Sequence, residues 1–193
     1  TSKWPHQNSI KVEWNLGKRC NLDCGYCPAE IHDNFSPHTN EKVIHDTIDA
    51  LNELDKPVRV SFTGGEPTVH PKINEIIEHA RQQLAWVNIT TNGLRHHEWY
   101  AKQLISHWVF SLHFDNEMAH HEHMDKVKAA CNRFDGHNIP YVVRRIRWTE
   151  ADDRDWFDDM RYSEKDLEWI LGKPAKVMAN TVIDDEHYMH AND

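Results

Sequence analysis

No apolar run in the chain approaches the ~20 residues that a membrane-spanning helix needs. The first eight residues, Thr1 to Asn8, lack the apolar core of a signal peptide. The sequence starts without a methionine, as a trimmed chain does. Positive charge is also short: 22 Lys and Arg stand against 31 Asp and Glu, a formal net charge of −9. Binding to a phosphate backbone rests on clustered basic residues, and Arg144, Arg145 and Arg147 form the one dense group, so nucleic acid is not an expected partner. No repeat, linker or low-complexity tract divides the sequence. The 193 residues therefore read as a single domain, 1–193, long enough to bury a core.

Cysteine is scarce, with four in all, yet three of them fall within eight residues as Cys20, Cys24 and Cys27. Such crowding does not suit a spread-out disulfide framework, and no secretion signal supports oxidation. A reducing cytoplasm and a bound metal are the expectation. Cys131 lies apart, in the helical pattern Lys-Ala-Ala-Cys-Asn, and reads as a small buried hydrophobe. The 16 histidines would raise the net charge steeply below about pH 6.5, and most read as solvated surface.

Three thiolates on one short loop can hold three corners of a four-iron cluster and leave the fourth iron without a protein ligand. A plain electron carrier normally uses four cysteines per cluster. The simplest rival is zinc, held by the three thiolates and a histidine such as His32, but structural zinc sites usually draw on a second ligand pair that is missing here. A ferredoxin would need a fourth ligand at short spacing.

Apolar runs and amphipathic stretches alternate along the chain. Strands are predicted at Ile10–Leu16, Val58–Thr63, Trp86–Thr90, Trp108–Phe114 and Tyr141–Trp148, with a further one at Ala175–Ile183. Helices are predicted from the Asn40 cap through Leu54, from Pro71 through Leu84, over His97–Ile105 and Glu117–Phe134, and, after an acidic stretch without period from Glu150, over Ser163–Leu171. This alternation predicts an α/β fold with a parallel sheet and crossover helices, and the strand count suits a partial barrel. Ligands in such folds gather at the C-terminal ends of the strands. The cysteine loop, Gly64-Gly65-Glu66, Asn92-Gly93 and the His113 region all fall on that rim.

Read together, these segments resemble the radical S-adenosylmethionine (SAM) superfamily. The cysteine loop follows the first strand, and an aromatic, Tyr26, precedes the third cysteine. Phe62-Thr63-Gly64-Gly65-Glu66-Pro67 is similar to the family's GGE motif, and Thr91-Asn92-Gly93 and Ser111-Leu112-His113-Phe114 match later strand ends. The resemblance implies a partial (β/α)6 parallel barrel of radical SAM type, shortened at its C-terminal end. It also implies either a compact member without an auxiliary-cluster domain or a shortened piece of a longer relative, since no cysteine follows Cys131. The implied metal ligands are Cys20, Cys24 and Cys27, holding a 4Fe–4S cluster. The implied SAM contacts are Tyr26, Gly64, Gly65, Glu66, Asn92, Ser111 and Arg144. Paired glycines let the main chain approach a ligand closely, and in the family this turn meets the amino group of SAM. Asn92 would lie by the ribose and substrate, and Arg144 against the SAM carboxylate.

The implied chemistry is reductive cleavage of SAM to a 5′-deoxyadenosyl radical that abstracts hydrogen from a peptide or small molecule, with flavodoxin or ferredoxin as electron donor. No catalytic side chain is assigned. A 7-carboxy-7-deazaguanine synthase-like or glycyl-radical activating enzyme is the nearest alternative, although Cys27-Pro28-Ala29 departs from the Cys-Asp-Thr of the former. A non-catalytic iron–sulfur or zinc module is the alternative of another class. His113 reads equally as a substrate or proton-transfer residue and as a structural histidine. His120-His121-Glu122-His123 has the composition of a metal tract but lies on a helix, where adjacent residues diverge. Trp148, Trp156 and Trp169 read as core or cap aromatics.

Overall fold

In Val58–Thr63 (β2), Trp86–Thr91 (β3) and His107–Leu112 (β4), successive side chains point to opposite faces of a sheet, as strand geometry requires. A computed structural model describes residues 8–24, 27–113, 120–147 and 177–182 of the chain. With β1 (Ile10–Asn15), β5 (Tyr141–Arg147) and β6 (Val177–Val182), these strands form one six-stranded parallel sheet in the order β1-β2-β3-β4-β5-β6. The sheet is open, with β1 and β6 at its edges. Helices α1 (Glu41–Asn52), α2 (Ile73–Gln83), α3 (His97–Lys102) and α4 (His120–His137) lie in the connections. This is the partial barrel expected from the sequence.

The helix-covered face carries Val58, Val60, Phe62, Val87, Ile89, Trp108, Phe110 and Val143, all buried. Ile44 and Ile48 of α1, Ile73, Ile76, Ile77 and Ala80 of α2, and Val127, Ala130 and Phe134 of α4 pack there too. Each fully buried aliphatic side chain contributes about 1.5–3 kcal/mol. Tyr100, Trp108, Phe110 and Phe134 add an aromatic cluster, in which Tyr100 meets Trp108 edge-on at 5.1 Å and Phe110 at 5.3 Å. The opposite face is polar: Asn88 donates to Ser61 at 3.2 Å, and the Arg59 guanidinium lies 5.0 Å over the Trp86 ring.

Several element ends differ from expectation for local reasons. Asn40 caps α1 as predicted, accepting from the Lys42 amide at 2.9 Å. Helix α2 begins at Ile73 rather than Pro71, because a 3-10 turn at Pro67–Val69 intervenes and His70 leaves it in an extended conformation. Helix α3 stops at Lys102, where Gln103 turns extended, so Leu104 and Ile105 lie outside it. Helix α4 runs three residues past Phe134. The predicted helix Ser163–Leu171, the acidic stretch from Glu150, and Trp148, Trp156 and Trp169 lie outside the described residues. Among the described residues, no helix is long and apolar enough to cross a membrane.

Candidate metal centre and its rim

Strand β1 ends at Asn15, and the chain turns at once into the cysteine loop. The base of that loop is closed by main-chain bonds: the Cys20 amide donates to the Asp33 carbonyl at 2.7 Å, and the Asp33 amide donates to the Lys18 carbonyl at 3.0 Å. Inside the loop, the Cys27 amide donates to the Cys24 carbonyl at 2.9 Å. None of the three cysteines forms a disulfide; Cys24 is buried, and Cys20 and Cys27 are half-buried. The Leu22 amide reaches the Cys20 sulfur at 3.4 Å. Burial pushes the Cys20 and Cys27 thiols up to about 11. Metal binding would therefore displace protons, as it does wherever thiolates are the ligands. Tyr26 lies outside the described residues.

The glycine turn after β2 is fastened to this base. The Gly65 amide donates to the Gly17 carbonyl at 2.8 Å, and the Glu66 amide to the Arg19 carbonyl at 2.9 Å. Gly64 has φ of 122°, a region that side chains other than glycine rarely adopt. A Cβ at Gly65 would land on the carbonyl oxygens of Lys18 and Arg19. The glycine there is needed for contact with the cysteine loop, a neighbour that the motif alone does not reveal.

Glu66 is buried and turned inward. One carboxylate oxygen accepts from the Thr68 amide at 3.0 Å, the Thr68 hydroxyl at 2.6 Å and the Thr91 hydroxyl at 2.8 Å; the other accepts from the Asn92 amide at 2.7 Å. Burial pushes its pKa up, while these donors pull the other way. Glu66 thus joins the glycine turn to the end of β3. Asn92 completes the circuit, since its side chain donates to Asn21 of the cysteine loop at 2.7 Å.

His123, from α4, donates through Nε2 to the Asn92 carbonyl at 2.6 Å. Its ring stacks at 6.2 Å on His113, at the end of β4. Burial, followed by the nearby His123 and His32, pushes His113 down to about 3. His123 is therefore an internal brace rather than part of a helical metal tract. Ser111 is buried and lies in register with Arg144 on β5, so the two share the polar face. The charge of Arg144, after burial, also lowers the pKa of His107 at the far end of β4.

The structure brings Cys20, Cys24, Cys27, Gly64, Gly65, Glu66 and Asn92 together on one rim. Ser111 and Arg144 stand further along the sheet. Asn21, Thr68, Thr91 and His123 complete the arrangement; sequence reasoning noted Thr91 only within its motif and His123 only within the histidine tract, and assigned no role to Asn21 or Thr68. Asn21 is flanked by a legible signal, its place beside Cys20, whereas nothing local marks His123 as a partner of Asn92.

The donor set fits an iron–sulfur cluster. Soft thiolates select such clusters and zinc. Among the described residues, no three His, Cys, Asp or Glu side chains converge as the ligands of one metal ion would. A cluster takes its thiolates on separate irons and needs no such convergence. A polar side chain beside the loop also awaits a partner: His32 is buried, and neither ring nitrogen makes a hydrogen bond.

The family model described as the Radical SAM superfamily matches residues 14–149. Over 83 residues the chain is 36% identical to Fe-coproporphyrin III synthase of Methanosarcina barkeri (strain Fusaro / DSM 804), covering 42% of this chain and 21% of that protein. Over 86 residues it is 31% identical to mycofactocin maturase MftC of Mycobacterium ulcerans (strain Agy99), covering 45% of this chain and 23% of that one. The matches thus span about a fifth of these curated relatives. Among solved structures, anSMEcpe with bound AdoMet superposes with a TM-score of 0.65 at 18% identity, covering 91% of this chain and 51% of that one. SuiB of Streptococcus suis bound to precursor peptide SuiA gives 0.58 at 17% identity, covering 79% and 36%. At these identities the likeness is one of fold.

Proposed function

The chain belongs to the radical SAM superfamily, and from that premise we propose that it is an enzyme that cleaves SAM reductively and takes a hydrogen atom from a peptide or small-molecule substrate. The observation that carries this reading is the circuit on the rim. Three thiols sit on a loop whose base is bonded to the glycine turn, and Glu66 and Asn92 tie that turn and the loop to the end of β3.

The superfamily's cofactors are a 4Fe–4S cluster and SAM, and Cys20, Cys24 and Cys27 would hold the cluster. When bound, the pair supplies one-electron cleavage of the sulfonium carbon–sulfur bond, and with it the 5′-deoxyadenosyl radical. The protein supplies placement and isolation. Gly64 and Gly65 would present main chain to the amino end of SAM. Asn92, bonded to Asn21, Glu66 and His123, would contact the ribose. Ser111 and Arg144 offer a hydroxyl and a cation on the polar face and would hold the SAM carboxylate. His113, uncharged at neutral pH, stands nearby as a neutral imidazole for the substrate. One relative, PqqA peptide cyclase of Streptomyces rochei, carries a name that points to a peptide, whereas another, the probable GTP 3',8-cyclase of Pyrococcus abyssi, points to a small molecule. A flavodoxin or ferredoxin is the proposed electron donor.

The test is anaerobic reconstitution with iron and sulfide, reduction, addition of SAM, and mass spectrometry of 5′-deoxyadenosine. Product above a cluster-free control supports the proposal. A fully loaded, reduced chain that yields none overturns it.

A further inference from the structure

Among the described residues, His32 is an anomaly that the circuit above does not use. It is 8% exposed, yet both Nδ1 and Nε2 lack a hydrogen-bond partner. Nε2 comes within 3.4 Å of the Asp23 carboxylate without hydrogen-bond geometry, and that carboxylate is 85% exposed, which screens the contact. A buried polar group left unpaired costs stability, and such groups are rare enough in native folds to need a reason.

Its surroundings supply one. The His32 amide donates to the Pro28 carbonyl at 3.2 Å, and its neighbour Asp33 closes the loop against Cys20. Asp23 lies between Cys20 and Cys24, so a ring directed at Asp23 faces the segment that carries the thiols. On the rim side it lies near His113, whose pKa it helps to lower after burial and His123. A neutral imidazole has one N–H to give and one lone pair to offer. Among the described residues no side chain accepts that N–H, and the group that would arrive in this loop is rich in acceptor sulfur.

We propose that His32 donates a hydrogen bond to a sulfur of the cluster, either a bridging sulfide or a ligating thiolate, and thereby raises the cluster's reduction potential. The inference rests on the functional reading above. Hydrogen bonds to the sulfurs are among the levers that set iron–sulfur potentials, because a donor stabilises the more negative, reduced form. His32 acts here as a tuning and positioning residue and not as a ligand.

The experiment uses the whole chain with His32→Phe and His32→Gln. In the metal-free chain, His32→Phe is expected to raise Tm, because it removes an unsatisfied polar group and keeps a ring. After reconstitution, all three proteins should hold the same iron and sulfide, and the midpoint potential, followed by electron paramagnetic resonance without SAM, should fall in His32→Phe and return toward wild type in His32→Gln. Equal potentials in the fully loaded proteins would overturn the inference. So would a difference that appears only once SAM is added, since the acceptor would then be SAM. Should His32→Phe fail to load, His32→Gln decides alone: a near-wild-type potential supports the donor role, and a lowered one overturns it. Failure of the wild type to take up iron and sulfide would instead sink the functional reading, and zinc held by the wild type but lost in His32→Phe would make His32 a metal ligand and overturn both.

Discussion

The Glu66 carboxylate accepts the main-chain amide of Asn92 at 2.7 Å, across 26 residues of sequence and a strand boundary. One buried side chain therefore holds the second and third strand ends in fixed relation, with Thr68 and Thr91 saturating its other oxygen. Replacing it with the near-isosteric glutamine puts an N–H₂ where one oxygen stood, facing either the Asn92 amide or the threonine donors. Glu66→Gln is expected to cost about 1–3 kcal/mol, read by urea unfolding of the metal-free chain. A stability equal to wild type would mean that the carboxylate is not the brace described here.

Gly65 touches the cysteine loop and not open space. A methyl group there meets the Lys18 and Arg19 carbonyls, both main-chain atoms that cannot swing aside. Gly65→Ala is expected to lose about 1–3 kcal/mol through overpacking and to lower iron retention, because the base of the loop must shift. Full iron content with normal stability would show that the loop absorbs the methyl freely.

Cys24 is the most buried of the three loop thiols. Cys24→Ala should leave the far-ultraviolet circular dichroism unchanged while iron and sulfide fall to background. A variant that keeps a full cluster and still yields 5′-deoxyadenosine would remove Cys24 from the ligand set.

His113 is pushed down to about 3 from an ordinary value of 6.5. The folded chain keeps it neutral, whereas the unfolded chain takes up a proton below about pH 6.5, so stability falls as pH drops from there toward 3. One fully linked proton gives a slope of about 1.4 kcal/mol per pH unit. His38 and His107 are shifted in the same sense, by burial first and by His70 and Arg144 next. Urea unfolding at pH 7.5, 6 and 5 should show a shallower decline in His113→Phe than in wild type. Parallel declines would mean that His113 titrates normally in the fold.

Much of this was legible in the sequence. Period-2 and helical patterns placed the described strands and helices, because both depend on neighbours a few residues apart. The cysteine loop, the glycine turn and Asn92 were legible as short motifs at strand ends. What binds the motifs to each other was not. The Glu66–Thr91 and His123–Asn92 bonds join residues 25 and 31 positions apart, a separation no local pattern reports. Glu66 and Gly65 read as contacts for a ligand, and the structure adds an internal partner for each. The start of α2 was misplaced for a related reason: Pro71 suits a first turn, but Pro67 opens a separate 3-10 turn whose cap is the Glu66 side chain.

The base of the cysteine loop is closed by main-chain bonds, at Lys18, Cys20 and Asp33 within the loop and at Gly17 and Arg19 toward the glycine turn, and the Arg19 guanidinium adds a bond to the Ser36 carbonyl at 3.2 Å. Main-chain bonds do not depend on what the side chains are. Lys18 can therefore drift in sequence without loosening the thiol cradle, while Gly64 and Gly65, where the packing leaves no room for a side chain, cannot. Natural variation around this loop should thus be broad at Lys18, which bonds through its main chain, and narrow at the two glycines, which make no contact through a side chain.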